Sequence, residues 1–149
     1  MSDLLSDAGL RVPTLSASTQ GTLHQWIPQY LRVSNPIDNG GHPVGDERGR
    51  KILDVLVADP DIDVLVAPIT GAFPPMSDRL AQDLVDVAET SKIPVCVIWG
   101  SPAADETAYR DILLKSSKVS VFRTFGNCVT AIRSWRDWHA FRAGYRSPF

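Results

Sequence analysis

The chain has 149 residues, of which 44% are hydrophobic and 21% are charged, and its formal net charge is −2. This length closes one hydrophobic core, so we expect a single domain over residues 1–149. The near-neutral charge offers no general attraction for nucleic acid or for an anionic membrane. The chain opens with MSDLLSDAGL, which has neither a basic start nor a long apolar run. We therefore expect a cytoplasmic protein with no membrane span.

The first 30 residues predict mainly helix. Residues 3–9 (DLLSDAG) are typical of the end of a helix, with Gly9 as its stop. A short extended piece near residues 10–13 and a helix at about residues 18–29 are expected to follow. Doubly wound folds usually begin with a strand, and this chain begins with the end of a helix.

Residues 33–46 (VSNPIDNGGHPVGD) form a loop that is rich in glycine and proline. Such a loop either turns a tight corner or presents backbone amides to a ligand, because glycine lets another group approach the main chain closely. We expect His42, within this loop, to be an ordinary solvent-exposed histidine.

The rest of the chain alternates strand and helix patterns. Apolar, β-branched runs at residues 64–70, 95–100 and 119–124 are typical of buried strands. Helical periodicity marks residues 47–59, 77–91, 104–117 and 127–141. We expect Asp46 to cap the first of these helices and Ser77 or Asp78 the second.

This alternation predicts βαβ crossovers and a parallel sheet with helices on both faces. The expected fold class is α/β, a flavodoxin-like three-layer α/β/α sandwich with a mainly parallel sheet that lacks the usual first strand. We expect residues 142–149 to begin a linker. Cys96 is expected to fill the core, and the two cysteines form neither a disulfide framework nor a metal site.

Loops after the carboxyl ends of parallel strands commonly bind ligands. Residues 70–78 (TGAFPPMSD) would expose backbone amides beside a helix N-terminus, which favours an anion, although the same residues could merely turn a corner. The three histidines have no metal-site spacing, and residues 59–64 (DPDIDV) lack the features of a calcium loop. No dinucleotide, P-loop or nucleophile-elbow motif occurs.

Five segments together resemble the NDP-forming acyl-CoA synthetases, the relatives of succinyl-CoA synthetase. These segments are GLRVPTLSASTQGTL, SNPIDNGG, ILDVLVADPDIDVLVAPIT, KIPVCVIWG and VSVFRTFGNCVTAI. The resemblance is to the flavodoxin-like CoA-ligase domain and runs from about Ala8 to the end of the chain. It implies the reaction of an acid, CoA and a nucleoside triphosphate to acyl-CoA, nucleoside diphosphate and phosphate, through acyl phosphate and phosphohistidine.

The resemblance also implies which residues face the active site. The substrate- and phosphate-binding residues would be Asn35, Asp38, Gly40, Gly41, Thr70, Gly71 and Ala72. Nothing here matches the phosphorylated-histidine motif, so no catalytic residue is assigned and His42 does not take that role. We expect the chain alone to bind no cofactor, whereas the complete enzyme would bind CoA and ATP or GTP with magnesium.

The ATP-grasp and CoA-binding domains of such enzymes have no counterpart in these residues, so we expect them as partners and expect the chain alone to be inactive. The missing first strand would leave an edge of the strand at residues 64–70 unpaired, which predicts a homodimer or completion by a partner. The alternative function is a non-catalytic acyl-CoA- or protein-binding module that kept the fold. A flavin-binding protein would need a phosphate loop after the missing strand.

Overall fold

The computed structural model describes residues 1–71, 73–100 and 106–147. This part of the chain contains one sheet of three strands in the order β1 (Leu65–Ile69), β2 (Val95–Trp99), β3 (Val119–Phe122). Both strand pairings are parallel. The α-helices are α1 (Ser2–Asp7), α2 (Ala17–Leu23), α3 (Arg48–Val57), α4 (Met76–Thr90) and α5 (Phe125–Gly144). A π-helical turn (Ala108–Ile112) and a 3-10 turn (Leu113–Lys115) precede β3.

The sheet is covered by helices on both faces, which confirms the predicted flavodoxin-like α/β/α architecture. All five residues of β2 are buried. Val95, Val97 and Trp99 pack in a cluster with residues of α3 and α4, whereas Cys96 and Ile98 pack with α5. This alternation follows from the two-residue period of a strand. Because both faces of β2 are covered, every position of the strand carries an apolar residue. Cys96 is a core residue, as predicted, and its thiol is free.

A third apolar cluster joins the N-terminal third of the chain to the sandwich. It combines residues from just before α2, from α2, from the loop after it and from α3: Leu15, Leu23, Ile27, Val33, Ile52 and Leu56. Each such side chain stabilises the fold by roughly 1.5–3 kcal/mol when fully buried. The glycine-rich loop is therefore anchored on α3 through apolar packing at its start.

Several predicted boundaries are wrong by a few residues. The helix expected at residues 18–29 ends at Leu23, because the Gln25 and Trp26 amides form the shorter i to i−3 bonds of turns, and Pro28 has no N–H. Residues 10–13 form no strand. The helix expected at residues 104–117 is represented, within the described residues, by the π-helical and 3-10 turns. The last helix continues to Gly144, into the expected linker.

The predicted helix caps also need correction. α4 begins at Met76, one residue after the double proline, so Ser77 and Asp78 lie inside its first turn and cap nothing. Glu47 occupies the cap position of α3, but Asp46 still accepts a hydrogen bond from the Arg48 amide at 2.9 Å. The predicted bond between the Asp46 carboxylate and an amide at the start of α3 therefore exists, although Asp46 lies one residue before the cap position. Among the described residues, no helix has the length and apolarity that crossing a membrane requires.

Asp59 is a buried carboxylate that joins α2 to the turn after α3. The residue is 3% exposed, and its carboxylate accepts hydrogen bonds from the backbone amides of Ser16 and Asp61, each at 3.0 Å. Burial acts to raise its pKa. Hydrogen bonds from the Thr19 hydroxyl and from the Asp61 and Ser16 amides outweigh that effect, so the pKa of Asp59 lies below its ordinary value.

We expect Asp59→Asn to lower the free energy of unfolding at pH 7 by about 1–3 kcal/mol, because it weakens two buried amide contacts. A depressed pKa stabilises the fold above the unfolded-state value of about 3.9, and this stabilisation is lost as the pH falls through the folded-state value. Urea denaturation between about pH 5 and pH 2 should thus vary less with pH in the variant. Asp61→Asn, on an exposed residue of the same turn, is the control. An unchanged pH dependence in Asp59→Asn would contradict this role.

Candidate functional site

A cavity of about 790 Å³ borders β1 and both loops that the sequence singled out. Four of the predicted site residues line it, namely Asn35, Gly41, Thr70 and Gly71. They come from two segments separated by about 30 residues of chain, and α3 lies between these segments in sequence. Asp38 and Gly40 are not among its lining residues, and Ala72 lies outside the described residues.

Asn35 serves the structure of the loop. Its side-chain amide donates to the Pro13 carbonyl at 2.9 Å, and its own carbonyl accepts from Arg32 at 2.9 Å. Its backbone has a φ of +95°, a conformation that asparagine tolerates better than most residues with a side chain. The side-chain nitrogen of Asn35 is therefore already used in holding residues 13 and 35 together.

The amides of Gly40 and Gly41 are bonded within the loop. The Gly40 amide donates to Asp38 Oδ1 at 2.9 Å, and the Gly41 amide donates to Asn39 Oδ1 at 3.3 Å. Both glycines have positive φ, +68° and +108°, so the loop needs their conformational freedom. These two amides turn the corner, and the Asp38 carboxylate beside them opposes an anion.

The loop after β1 differs in this respect. Within the described part of the chain, the backbone amides of Thr70 and Gly71 make no hydrogen bond. Thr70 is exposed, and a side-chain carbon at Gly71 would meet no atom within 4 Å, so the main chain is accessible there. At the start of α4, the Ser77 amide is used by the Phe73 carbonyl at 3.0 Å. Thr70 and Gly71 are therefore the best-placed amide donors of the predicted set.

His42 is the residue that the sequence interpretation placed wrongly. Its side chain is 8% exposed, and its Nε2 lies 2.8 Å from Oδ2 of Asp83 on α4. The other oxygen of Asp83 accepts from Arg79 Nε at 3.0 Å. Because an ionised carboxylate only accepts hydrogen bonds, Nε2 of His42 carries the proton. This His42–Asp83 pair fixes the end of the glycine-rich loop onto α4.

One sequence signal for this pair was available. Asp83 stands three residues after Leu80 and four before Val87, on the apolar face of α4. A charged residue on such a face needs a buried partner, since an unpaired buried charge is costly. The sequence does not show which residue that partner is, because His42 is 41 positions away. No group of three or more metal-ligating side chains occurs in the described ranges.

Comparisons with known proteins establish the fold alone. No protein-family model and no curated protein matches the sequence. The crystal structure of PH0766 from Pyrococcus horikoshii OT3 is similar, with a TM-score of 0.75 and 20% sequence identity. The similarity covers 89% of this chain and 31% of PH0766. The chain thus spans about a third of that protein, whose fold it shares over this part.

We expect Asp83→Leu to lower the free energy of unfolding by about 1–3 kcal/mol, because the buried Nε2–H of His42 loses its acceptor. The double variant His42→Leu/Asp83→Leu should regain part of this loss, since an apolar pair leaves no unsatisfied donor. The measurement is a double-mutant cycle by urea denaturation, with His42→Leu as the other single variant. Additive losses would show that the two side chains do not interact.

Gly49 offers a second test of the same anchor. A side-chain carbon at this position would lie 2.4 Å from both His42 Nε2 and the Pro43 carbonyl oxygen. We expect Gly49→Ala to lower the free energy of unfolding by about 1–3 kcal/mol. The added methyl group would displace His42 and Pro43, which the His42–Asp83 hydrogen bond holds in place. Gly21→Ala, in an exposed part of α2 with no atom within 4 Å, should instead be neutral or stabilise by up to about 1 kcal/mol. Thermal unfolding of both variants measures the difference.

Proposed function

We propose that this chain is one domain or subunit of an NDP-forming acyl-CoA ligase related to succinyl-CoA synthetase. The complete enzyme would convert an acid, CoA and a nucleoside triphosphate to acyl-CoA, nucleoside diphosphate and phosphate, through acyl phosphate and phosphohistidine. The observation that carries this proposal is the cavity beside β1, because residues of both resemblance-implied loops border it. This chain would contribute a surface that binds the acyl and phosphoryl groups.

The position of this cavity agrees with general rules for the fold. Ligands of open parallel sheets bind outside the carboxyl ends of the strands, and Thr70 and Gly71 follow the carboxyl end of β1. Their accessible amides would hold an oxyanion of the phosphoryl group. Asn35 and Gly40 would shape the loop that borders the acyl group, with Asp38 and Asn39 holding that loop closed.

The remaining parts of the reaction would come from partners. Such ligases bind nucleotide, magnesium and CoA on ATP-grasp and CoA-binding domains, which would be joined to this chain or supplied by another subunit. The share of PH0766 that the chain spans, 31%, is compatible with a piece of a larger assembly. Accordingly, the chain alone would have no ligase activity.

A non-catalytic acyl-CoA- or protein-binding module is the second proposal. The observation in its favour is that the amides of Gly40 and Gly41 are used within the loop, next to the negative charge of Asp38. A loop of this kind can hold a fixed shape without taking part in phosphoryl transfer. The two proposals differ in whether anions bind at Thr70 and Gly71.

Titration of the isotope-labelled chain with phosphate, acetyl phosphate and CoA, followed by NMR, tests the first proposal. We expect the amide signals of Thr70 and Gly71 to shift, whereas that of Gly40 stays in place because Asp38 holds it. Sodium chloride at matched ionic strength is the control for salt effects. Asp38→Asn keeps the turn's acceptor but removes its charge, so it should tighten phosphate binding by up to about fivefold. A folded sample without shifts at Thr70 and Gly71 would favour the second proposal.

A further inference from the structure

β1 has one unpaired edge within the described residues, since it pairs with β2 alone. Four of its five residues are only partly buried and Pro68 is exposed, in contrast to the buried residues of β2. A sheet edge presents a row of main-chain donors and acceptors, which proteins normally cover, shorten or disrupt. This edge therefore requires an explanation.

The direction of the main-chain groups on β1 shows what the edge offers. The Ile69 carbonyl accepts from the Gly100 amide at 2.8 Å, so the odd-numbered residues of β1 point toward β2. Because these groups alternate along a strand, those of Val64, Val66 and Pro68 point to the unpaired edge. Val64 and Val66 offer an N–H and a carbonyl each, whereas Pro68 offers a carbonyl alone.

The space along this edge is a cleft that other parts of the chain partly enclose. All residues from 64 to 71 line the cavity described above. Its other walls are residues 9–13, side chains of α3 on one face of the sheet and side chains of α5 on the other, including Ile52, Leu56, Ile132 and Trp135. We call the part bordered by residues 64–69 and 9–13 the β1 slot. Packed interiors leave few voids larger than a water molecule, so this cleft is not an ordinary packing defect.

The segment opposite β1, residues 10–13, also has main-chain groups without hydrogen-bond partners. Residues 10–13 belong to no helix or strand, and within the described ranges Arg11 and Val12 make no backbone hydrogen bond. β1 and this segment line the same cavity without pairing with each other, so the β1 slot separates them. Two unpaired stretches of backbone with helices above and below them define the position of an inner strand of a sheet.

We propose that the β1 slot is a docking site for an extended, apolar strand supplied by a partner polypeptide. The strand would bond to Val64, Val66 and the Pro68 carbonyl on one side, and to Arg11 and Val12 on the other. Apolar side chains would suit both of its faces, because α3 and α5 line the slot with apolar residues. The inference does not depend on the ligase role, and it would hold for a binding module as well.

Neither a second copy of this chain nor a small apolar molecule fits the slot as well. Two copies could pair through β1 only if their edges approached to about 4.8 Å, and residues 9–13 and the bordering helices stand in the way. An apolar small molecule could fill the volume, but it would leave the donors of Val64 and Val66 without partners. A strand fills the space and also accepts hydrogen bonds from the amides of Val64 and Val66.

Hydrogen exchange with a synthetic strand tests the proposal. The probe is a seven-residue peptide, Lys-Val-Ile-Val-Ile-Val-Lys with blocked ends, and its control has all five core amides N-methylated. We expect the first peptide to slow amide exchange at Val64 and Val66 by about tenfold or more. The amides of Leu65 and Ala67, which point toward β2, should change little. The N-methylated peptide should protect none of these amides.

Other results of this experiment would overturn the proposal. Equal binding of the two peptides would show an apolar cavity without strand pairing, and no protection by either peptide would remove the docking site. Protection of Val64 and Val66 in the chain alone, increasing with protein concentration and accompanied by a dimer in light scattering, would identify a second copy as the occupant.

Pro68→Val gives an independent test, because it adds the one donor that the edge lacks. We expect the unmethylated peptide to bind about two- to tenfold more tightly to this variant, the effect of one net hydrogen bond. Ile69→Val is the matched control, since it keeps every donor and its main-chain groups point toward β2. Unchanged affinity for Pro68→Val, or the same gain in both variants, would contradict pairing along this edge.

Discussion

Burial of β2 on both faces is the constraint on which the rest of the structure depends. Its five residues are almost completely removed from solvent, and Val97 and Trp99 are fully buried. Because successive side chains point to opposite faces, this one strand requires a helical layer on each side. α3 and α4 cover one face and α5 covers the other, which determines where every loop after a strand emerges.

Two buried carboxylates connect the rest of the chain to this sandwich. Asp59 holds the start of α2 through backbone amides, and Asp83 holds the glycine-rich loop through His42. The net free energy of such a hydrogen bond is small. Once the carboxylate is buried, however, moving its partner away leaves unsatisfied polar groups in the interior, which lowers the stability of the fold. The two carboxylates therefore specify the positions of segments that apolar packing alone would hold less precisely.

The helices on the two faces of the sheet extend further to one side than its three described strands do. α3 and α5 extend alongside a position where no described strand lies, and residues 9–13 stand at its other side. Pro68 lowers the hydrogen-bonding capacity of the edge, as prolines do in strands that must not pair freely. The edge thus combines a partly enclosed, largely apolar cleft with a restricted set of main-chain donors, and the proposed docking of a partner strand rests on this combination.

Local pattern in the sequence was sufficient for the three strands, for α3, α4 and α5, and for the parallel α/β architecture, because strand and helix periods are properties of neighbouring residues. Helix ends were less well predicted, since turns before Pro28 and the double proline before α4 depend on competing local hydrogen bonds. The sequence could not show that the His42 side chain is buried against Asp83, or that a cleft lies beside β1. Those features are contacts between residues distant in sequence, and they exist only once the layers have packed.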